Sequence, residues 1–280
     1  MVDRGLAPSR ARAQALILGG KVRTGHGDAA RVDRKAGDLV EEDLDIQLVE
    51  RDPYVSRGGH KLAAALDAFA IDPRGRTCLD VGASTGGFTD VLLQRGASRV
   101  YALDVGRGQL AEALRHDPRV VSMERTNART ITPATLPEPV SLVVIDVSFI
   151  SLRLVLVPIA CALGTDGVSS TSGGSSGRGN GVSGIGGDIV ALVKPQFETG
   201  RAQVRGGVVR DPAVHRSTIE AVVAAAATAG LAARDVIPSP ILGPEGNREF
   251  LLHLRPGDEP AAGLEARIAA AAAPPGDGPR

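Results

Sequence analysis

The sequence predicts an α/β fold, in which a doubly wound and mainly parallel sheet follows a small α+β module. Two observations carry this prediction. Short apolar runs alternate with helical patterns over residues 77–254, as they do in βαβ units. Four of the apolar runs end in a charged residue, and ligands of open α/β sheets bind at the carboxyl ends of the strands. We therefore expect one functional rim on the sheet.

Composition limits the classes of protein that this chain can be. The 280 residues suffice for one sizeable domain and a small one, and 32 Lys and Arg balance 32 Asp and Glu, so nucleic-acid binding would need a local basic patch. Aromatic residues make up 2% of the chain, which argues against a platform of stacked aromatic rings.

Cysteine usage and hydropathy indicate the compartment. Cys78 and Cys161 lie in apolar runs without metal-ligand neighbours, which favours buried thiols in a reducing compartment and no metal site. No apolar run approaches the roughly 20 residues of a membrane span, and no signal-peptide pattern is present. We expect a soluble, cytoplasmic protein with no membrane contact, and the sequence predicts no stable protein partner.

The first 50 residues change the sign of their charge midway. Residues 1–35 hold eight basic and three acidic side chains, whereas residues 36–50 hold six acids and no base. Ser9 predicts the start of a helix over residues 10–18, and residues 45–49 alternate like a strand. The basic side chains form either a phosphate-binding face or an ordinary solvated surface. The candidates for RNA contact here are Arg10, Arg12, Lys21 and Arg23.

A resemblance covers part of this segment. Residues 5–22 resemble the helix-turn-strand core of the alpha-L RNA-binding motif, which occurs in a small-subunit ribosomal protein and in pseudouridine synthases. That motif usually opens with a further half helix and a basic lead-in, whereas this chain begins at residues 1–3. The resemblance implies that residues 1–50 are an RNA-binding module, shortened at its start.

Residues 51–76 are predicted as a linker and a helix that carries Lys61. An apolar stripe at helical spacing runs from Leu62 to Phe69, and Gly58 and Gly59 leave the helix start accessible. Lys61 lies in the first turn, where a positive charge opposes the helix dipole. Either it has a catalytic role or it is a surface lysine that points to water.

A glycine turn follows the first strand of the sheet, at residues 79–88. Its spacing matches neither the pyrophosphate-binding G-x-G-x-x-G pattern nor a P-loop, which disfavours NAD and ATP. An amino-acid carboxylate at the next helix start suits S-adenosylmethionine, although such turns are also common as purely structural loops. The predicted cofactor contacts of this stretch are Asp80, Gly82, Ala83, Ser84, Thr85, Gly86, Gly87 and Phe88.

The next two strands contribute two further cofactor candidates. Asp104 ends a strand 24 positions after Asp80, close to the spacing at which an acid meets ribose hydroxyls, unless it is a solvated carboxylate. Asn127 follows the strand at residues 120–123 and faces either an adenine edge or its own turn.

The remaining elements complete the sheet. Asp146 ends a fourth strand, and Lys194 ends a fifth at residues 188–193, where an acid on a neighbouring strand offers a partner. Residues 164–187, of which 16 of 24 are Gly or Ser, predict a flexible insertion. A helix, two strands and a loose tail are predicted at residues 212–229, 236–238, 250–254 and 256–280.

Together, these stretches resemble the FtsJ-like ribose 2′-O-methyltransferases of the class I S-adenosylmethionine methyltransferase fold, which is Rossmann-like. Closer still is the TlyA family of ribosomal RNA cytidine 2′-O-methyltransferases, once described as hemolysins. The resemblance implies an FtsJ-like domain over residues 77–255. It rests on Ser56-Arg57-Gly58-Gly59-His60-Lys61-Leu62, on residues 80–89 and 145–149, on Leu192-Val193-Lys194-Pro195-Gln196-Phe197-Glu198 and on residues 243–250.

FtsJ-like enzymes carry a Lys-Asp-Lys-Glu tetrad, and the resemblance implies that Lys61, Asp146, Lys194 and Glu249 form it here. Glu245 is a rival for the last position, and Glu249 is preferred because it directly precedes a strand. A ribose 2′-hydroxyl is a poor nucleophile and needs a base, and lysine serves as one only where burial and a second cation lower its pKa. No metal is required.

The implied activity is S-adenosylmethionine-dependent 2′-O-methylation of ribosomal RNA at cytidine, with ribosomal RNA or ribosomal subunits as the partner. Arg57 joins the predicted RNA contacts. Two alternatives remain, a non-enzymatic RNA-binding protein and a small-molecule methyltransferase on the same fold. A membrane-active protein is disfavoured, because the sequence has neither a span nor a strongly amphipathic basic helix.

Overall fold

A computed structural model describes the chain at residues 1–25, 31, 35–41, 43–48, 52–163, 187–200, 203–204, 206–257 and 259–274. The chain divides into two compact units, Met1–Pro53 and Tyr54–Arg280. Residues 54–76, most of the stretch predicted as a linker and a helix that carries Lys61, therefore belong to the larger unit. The predicted insertion at residues 164–187 lies outside the described residues except for Gly187.

The described residues of the smaller unit form one helix and one strand pair. Helix α1 spans Arg10–Leu18, and strands β1 (Val22–Thr24) and β2 (Ile46–Leu48) pair antiparallel. The side chain of Ser9 accepts a hydrogen bond from the Arg12 backbone N–H at 3.2 Å, so the predicted helix start is confirmed.

The larger unit is built on a seven-stranded sheet in the order β5-β4-β3-β6-β7-β9-β8. The strands from β5 to β7 in this order are parallel, and β9 pairs antiparallel with both β7 and β8. The predicted doubly wound, mainly parallel sheet is confirmed. The strands are β3 (Thr77–Val81), β4 (Arg99–Leu103), β5 (Val120–Met123), β6 (Leu142–Ile145), β7 (Asp188–Val193), β8 (Leu231–Pro238) and β9 (Phe250–Pro256).

Helices cover both faces of this sheet. One apolar layer contains side chains of α2 and α3, such as Leu62 and Val91, and the other contains side chains of α5, α7 and α8, such as Ile159 and Ile219. Successive strand residues alternate between the two layers, as the pleat requires. The helices are α2 (Gly58–Ala68), α3 (Gly87–Gln94), α4 (Glu112–Arg115), α5 (Leu156–Ala162), α6 (Pro195–Glu198), α7 (Pro212–Thr228) and α8 (Leu264–Ala272).

The end of the described chain differs from its prediction. Residues 264–272 are helix α8, not a loose tail, and Leu264 and Ile268 are buried in the second apolar layer. These two residues lie one helical turn apart, so they form an apolar face that burial stabilises despite the Ala-rich composition. Residues 275–280 lie outside the described part of the chain.

Candidate functional site

A cavity of about 400 Å³ opens where the carboxyl ends of β3, β6 and β7 meet the start of α2. The glycine turn after β3 and the first residues of α2 form much of its wall. The cavity brings together three of the four residues of the predicted tetrad. It is lined by Ser56, Arg57, Gly58, Lys61, Gly82, Ala83, Ser84, Thr85, Gly87, Phe88, Asp146, Lys194, Ile241, Leu242 and Pro244.

The glycine turn approaches its neighbours closely. Gly82 has φ +85°, and a side-chain carbon there would clash with the Asp146 carbonyl oxygen. A side-chain carbon at Gly87 would clash with Ser56 Oγ. The starts of α2 and α3 therefore lie side by side at the cavity, and each presents backbone N–H groups that favour an anion.

Asp80 lies beneath this turn and is fully buried. Thr89 Oγ1 donates a hydrogen bond to Asp80 Oδ2 at 2.7 Å, whereas Oδ1 has no hydrogen-bond partner among the described residues. Burial raises the pKa of the Asp80 carboxyl to about 7, and the nearby carboxylates of Asp146 and Asp104 add to this effect. Asp80 is not among the residues that line the cavity, so its contact with a methyl donor stays a prediction.

Asp104 and Asn127 occupy the other end of the rim. Asp104 accepts hydrogen bonds from the backbone N–H groups of Ser84 at 2.8 Å and Gly106 at 2.7 Å, which ties β4 to the glycine turn. Asn127 Oδ1 accepts from the Arg129 backbone N–H at 3.0 Å and caps a short 3₁₀ helix. Asn127 therefore stabilises its own turn, which was one of the two roles considered for it. Its contact with adenine stays a prediction.

Lys194 and Asp146 form the first charged pair of the site. Lys194 Nζ lies 2.6 Å from Asp146 Oδ1, in an ion pair that lacks the alignment of a regular hydrogen bond. Lys194 Nζ also donates to Ser148 Oγ at 2.8 Å. Ser148 lies within the motif at residues 145–149, but its sequence position alone assigned it no role. The sequence contains one signal for such a role, because Ser148 follows Asp146, which ends a strand, by two residues.

Lys61 and Glu249 form the second pair. Lys61 Nζ lies 2.5 Å from Glu249 Oε2, and only 8% and 1% of the two side chains are exposed. Lys61 is therefore not a surface lysine. Gln196 Nε2 donates to Glu249 Oε1 at 3.5 Å. The sequence contains no sign of this contact. Glu245 is exposed, so the geometry favours Glu249, although its catalytic role stays a prediction.

The predicted RNA contacts are distributed unevenly. Arg10, Arg12 and Arg23 are exposed, whereas Lys21 is half-buried. Arg10 and Arg12 lie two positions apart on α1, a rotation of about 200°, so they do not share one continuous basic face with the strand residues. Arg57 lies in the larger unit at the cavity wall and donates to the Leu242 carbonyl at 3.2 Å.

A larger cavity, of about 610 Å³, lies within the smaller unit and is lined in part by Arg10. It contains none of the charged residues that end the strands of the sheet, so it is not the candidate site. Across the described residues, no cluster of His, Cys, Asp and Glu suits a metal ion. Within the same part of the chain, the helices are too short or too polar to cross a membrane.

Comparisons with known proteins match this site. A model of the FtsJ-like methyltransferases matches residues 54–256. The 16S/23S rRNA (cytidine-2′-O)-methyltransferase TlyA of Mycobacterium tuberculosis is 47% identical over 256 residues, which are 91% of this chain and 87% of the relative. Hemolysin A of Brachyspira hyodysenteriae is 38% identical over 253 residues, which are 90% of this chain and 95% of the relative.

A solved structure agrees with the fold. A Streptococcus thermophilus protein, provisionally named a hemolysin, superposes with a TM-score of 0.70 at 39% identity and covers 94% of this chain and 89% of its own. The family model spans well over half of the chain, and it includes both charged pairs of the cavity. The chain therefore belongs to the FtsJ-like methyltransferase family, in the group of the TlyA proteins.

Proposed function

We propose that this chain transfers a methyl group from S-adenosylmethionine to the 2′-hydroxyl of a cytidine ribose in ribosomal RNA. The observation that carries the proposal is the pair of lysine–carboxylate contacts, Lys194 with Asp146 and Lys61 with Glu249, beside a cavity of about 400 Å³. The names of the TlyA relatives in Mycobacterium tuberculosis and Campylobacter jejuni support the choice of cytidine.

The cavity fits the methyl donor in size and in the groups that it presents. Gly82 donates its N–H to the Leu103 carbonyl, so the carboxylate of an amino acid would meet the first N–H groups of α3, which have no partner within the helix. Asp104 does not line this cavity but accepts a hydrogen bond from the glycine turn, and it is the proposed contact for the ribose hydroxyls. S-adenosylmethionine supplies a methyl group on a sulfonium that is already a good leaving group, so the protein has only to align and deprotonate the acceptor.

The charged pairs divide this work between them. Lys194 in its amine form accepts the proton of the 2′-hydroxyl, and Asp146 stabilises the ammonium that results. Two of the three positions around Lys194 Nζ face Asp146 and Ser148, which leaves one direction for the ribose hydroxyl. Lys61, held by Glu249, places a second positive charge at the cavity wall and keeps the acceptor in line with the methyl group.

The smaller unit is the proposed docking module for RNA. Its exposed arginines Arg10, Arg12 and Arg23 suit phosphate contacts, and residues 5–22 resemble the core of the alpha-L motif. Ribosomal RNA or a ribosomal subunit is the proposed partner, and the proposal includes a cytoplasmic location.

Transfer of labelled methyl from S-adenosylmethionine to ribosomal subunits, followed by mapping of 2′-O-methyl positions, tests the proposal. We expect label on cytidine ribose from the wild-type protein, and at least a hundredfold lower rate from Lys194→Ala. Arg74→Ala is the control, because Arg74 is exposed before the amino end of β3, away from the cavity.

Two results would contradict the proposal at different points. A wild-type protein that binds the donor but labels no RNA would remove the RNA substrate and favour a small-molecule acceptor. Full activity of Lys194→Ala would remove the proposed base while leaving the substrate in place.

A further inference from the structure

Glu198 is a buried carboxylate outside the cavity, at the last position of α6. Only 2% of its side chain is exposed. Its two oxygens hold the segment that leads into the 3₁₀ helix Leu152–Leu154. Oε2 accepts a hydrogen bond from Ser151 Oγ at 2.5 Å, and Oε1 accepts from the Leu152 backbone N–H at 2.6 Å.

Arg153 closes the same contact from the other side. Its Nη2 donates to the Glu198 carbonyl oxygen at 3.1 Å, its Nε donates to Ser151 Oγ at 3.1 Å, and its Nε also lies 3.5 Å from Glu198 Oε2. Burial raises the pKa of the Glu198 carboxyl, while the hydrogen bonds from Ser151 and Leu152 and the charge of Arg153 act in the opposite direction. Both oxygens of the Glu198 carboxylate therefore accept hydrogen bonds from the same loop.

That loop carries the partners of Lys194. Asp146 and Ser148, which contact Lys194 Nζ, lie just before the residues that Glu198 binds. Lys194 itself caps the start of α6, whose last residue is Glu198. One short helix thus presents Lys194 at one end and, at the other end, the carboxylate that fixes the loop facing Lys194.

The backbone of the loop needs such a restraint. Phe149 has φ +63° and is 90% exposed, so this non-glycine residue adopts a left-handed conformation without burial of its own side chain. A backbone of this kind is strained and persists only where its surroundings hold it. The ring of Phe149 contacts Phe197 of α6 at 5.1 Å between centroids, and Glu198 accepts the hydrogen bonds from Ser151 and Leu152 that tie the end of this loop to α6.

We infer that Glu198 is a positioning residue for methyl transfer: by holding residues 148–152 against α6, it sets the places of Asp146 and Ser148 around Lys194. The inference rests on the proposed function, because its consequence is a slower chemical step. Glu198 does not line the cavity, so binding of the methyl donor should not depend on it.

The test compares Glu198→Ala and Glu198→Gln with wild type in the full-length chain. The matched control is Glu220→Gln, which removes an exposed carboxylate that pairs with Arg216 on α7. Three quantities are measured: kcat and KM for methyl transfer to ribosomal subunits, Kd for S-adenosylmethionine by calorimetry, and amide hydrogen exchange along the chain. kcat is normalised to the number of donor-binding sites, so that misfolded protein does not lower it.

For Glu198→Ala we expect kcat to fall about ten- to a hundredfold, as for a misplaced catalytic group. The donor Kd should stay within about twofold, and exchange should rise at residues 147–155 alone. Glu198→Gln keeps an oxygen for the Leu152 N–H and should recover part of kcat. The control should match wild type.

Three results would overturn the inference: a normalised kcat that is unchanged in Glu198→Ala, a loss confined to KM or to donor Kd, or increased exchange throughout the larger unit. If wild-type protein labels no RNA, the proposed function fails on its own. The exchange measurement then still decides whether Glu198 holds this loop.

Discussion

Two buried lysines, each held by a carboxylate from another element, define the site at the residue scale. Taking such charges out of water is costly, and a carboxylate at 2.5–2.6 Å offsets much of that cost. This explains how Lys61 and Lys194 can be buried. It also means that one member of a pair cannot be removed without leaving an uncompensated charge.

Glu249→Leu should therefore destabilise the protein more than its lost contacts suggest. We expect a loss of about 3–5 kcal/mol in the free energy of unfolding, because the Lys61 ammonium remains buried without its carboxylate. The double variant Lys61→Met with Glu249→Leu should recover most of this loss, since no charge is then left. Urea unfolding of wild type, Glu249→Leu, Lys61→Met and the double variant measures these values. A double variant that is as unstable as the sum of its two single variants would contradict this account.

Asp80 predicts a pH dependence of stability. Its carboxyl has an ordinary pKa of 3.8 when unfolded and a pKa of about 7 when folded, so the folded state retains a proton that the unfolded state releases. The stabilisation that this retained proton provides is complete below pH 4 and is lost as the pH rises through 7.

Asp80→Asn has no charge to bury and keeps an oxygen for the Thr89 hydroxyl. Its stability relative to wild type should therefore increase between pH 4 and 7 and level off above that, by about 4 kcal/mol in total. Chemical unfolding of both proteins across this range measures the difference. A difference that does not change with pH would show that folding does not raise the pKa of the Asp80 carboxyl.

The sequence predicted much of this site, for an identifiable reason. Asp146 and Lys194 each follow an apolar run directly, and parallel strands bring such positions to one rim whatever their side chains do. Ser148 and Glu198 were not assigned a role. Their contacts depend on the path of the loop after β6, including the left-handed backbone at Phe149, and no periodic pattern in the sequence encodes that path.

At the scale of secondary-structure elements, apolar runs in the sequence identified every strand of the large sheet. They did not predict the positions of the last two strands in the strand order. β9 lies between β7 and β8 and runs antiparallel to both. This arrangement places Glu249, directly before β9, beside the rim formed by the parallel strands, where it meets Lys61 of α2. The order of antiparallel edge strands depends on packing between segments that are distant in the sequence, so a local pattern of apolar residues does not predict it.

Helix α8 offers a test of the corrected chain end. Ile268 is 3% exposed and lies in the apolar layer shared with α7 and β8, so Ile268→Ala should cost about 2–5 kcal/mol of folding free energy. Glu265→Gln, at an exposed position of the same helix, should change stability by less than about 0.5 kcal/mol. Thermal or urea unfolding compares the two. If both substitutions had equally small effects on stability, residues 264–272 would not be packed as a helix, and the prediction of a loose tail would stand.

For the whole molecule, the division into two compact units allows the two proposed tasks to be tested separately. Every residue that lines the candidate active-site cavity belongs to the unit Tyr54–Arg280, so the proposed donor site lies within that unit. The exposed arginines of α1 and β1 belong to the other unit. Substitutions in the smaller unit should therefore affect RNA affinity and leave donor affinity unchanged.

Charge reversal at Arg12 and Arg23 tests this separation. Each phosphate contact that is lost should reduce the slope of log K against log salt by about 0.7–0.9, because fewer counterions are released when RNA binds. We expect weaker binding of ribosomal subunits by Arg12→Glu and Arg23→Glu, a shallower salt dependence, and an unchanged Kd for S-adenosylmethionine. Arg74→Glu, an exposed arginine of the larger unit, controls for the general effect of added negative charge. RNA docking by the smaller unit would be contradicted if Arg74→Glu made the salt dependence equally shallow, or if Arg12→Glu and Arg23→Glu left it unchanged. Neither result would affect the chemistry assigned to Lys194.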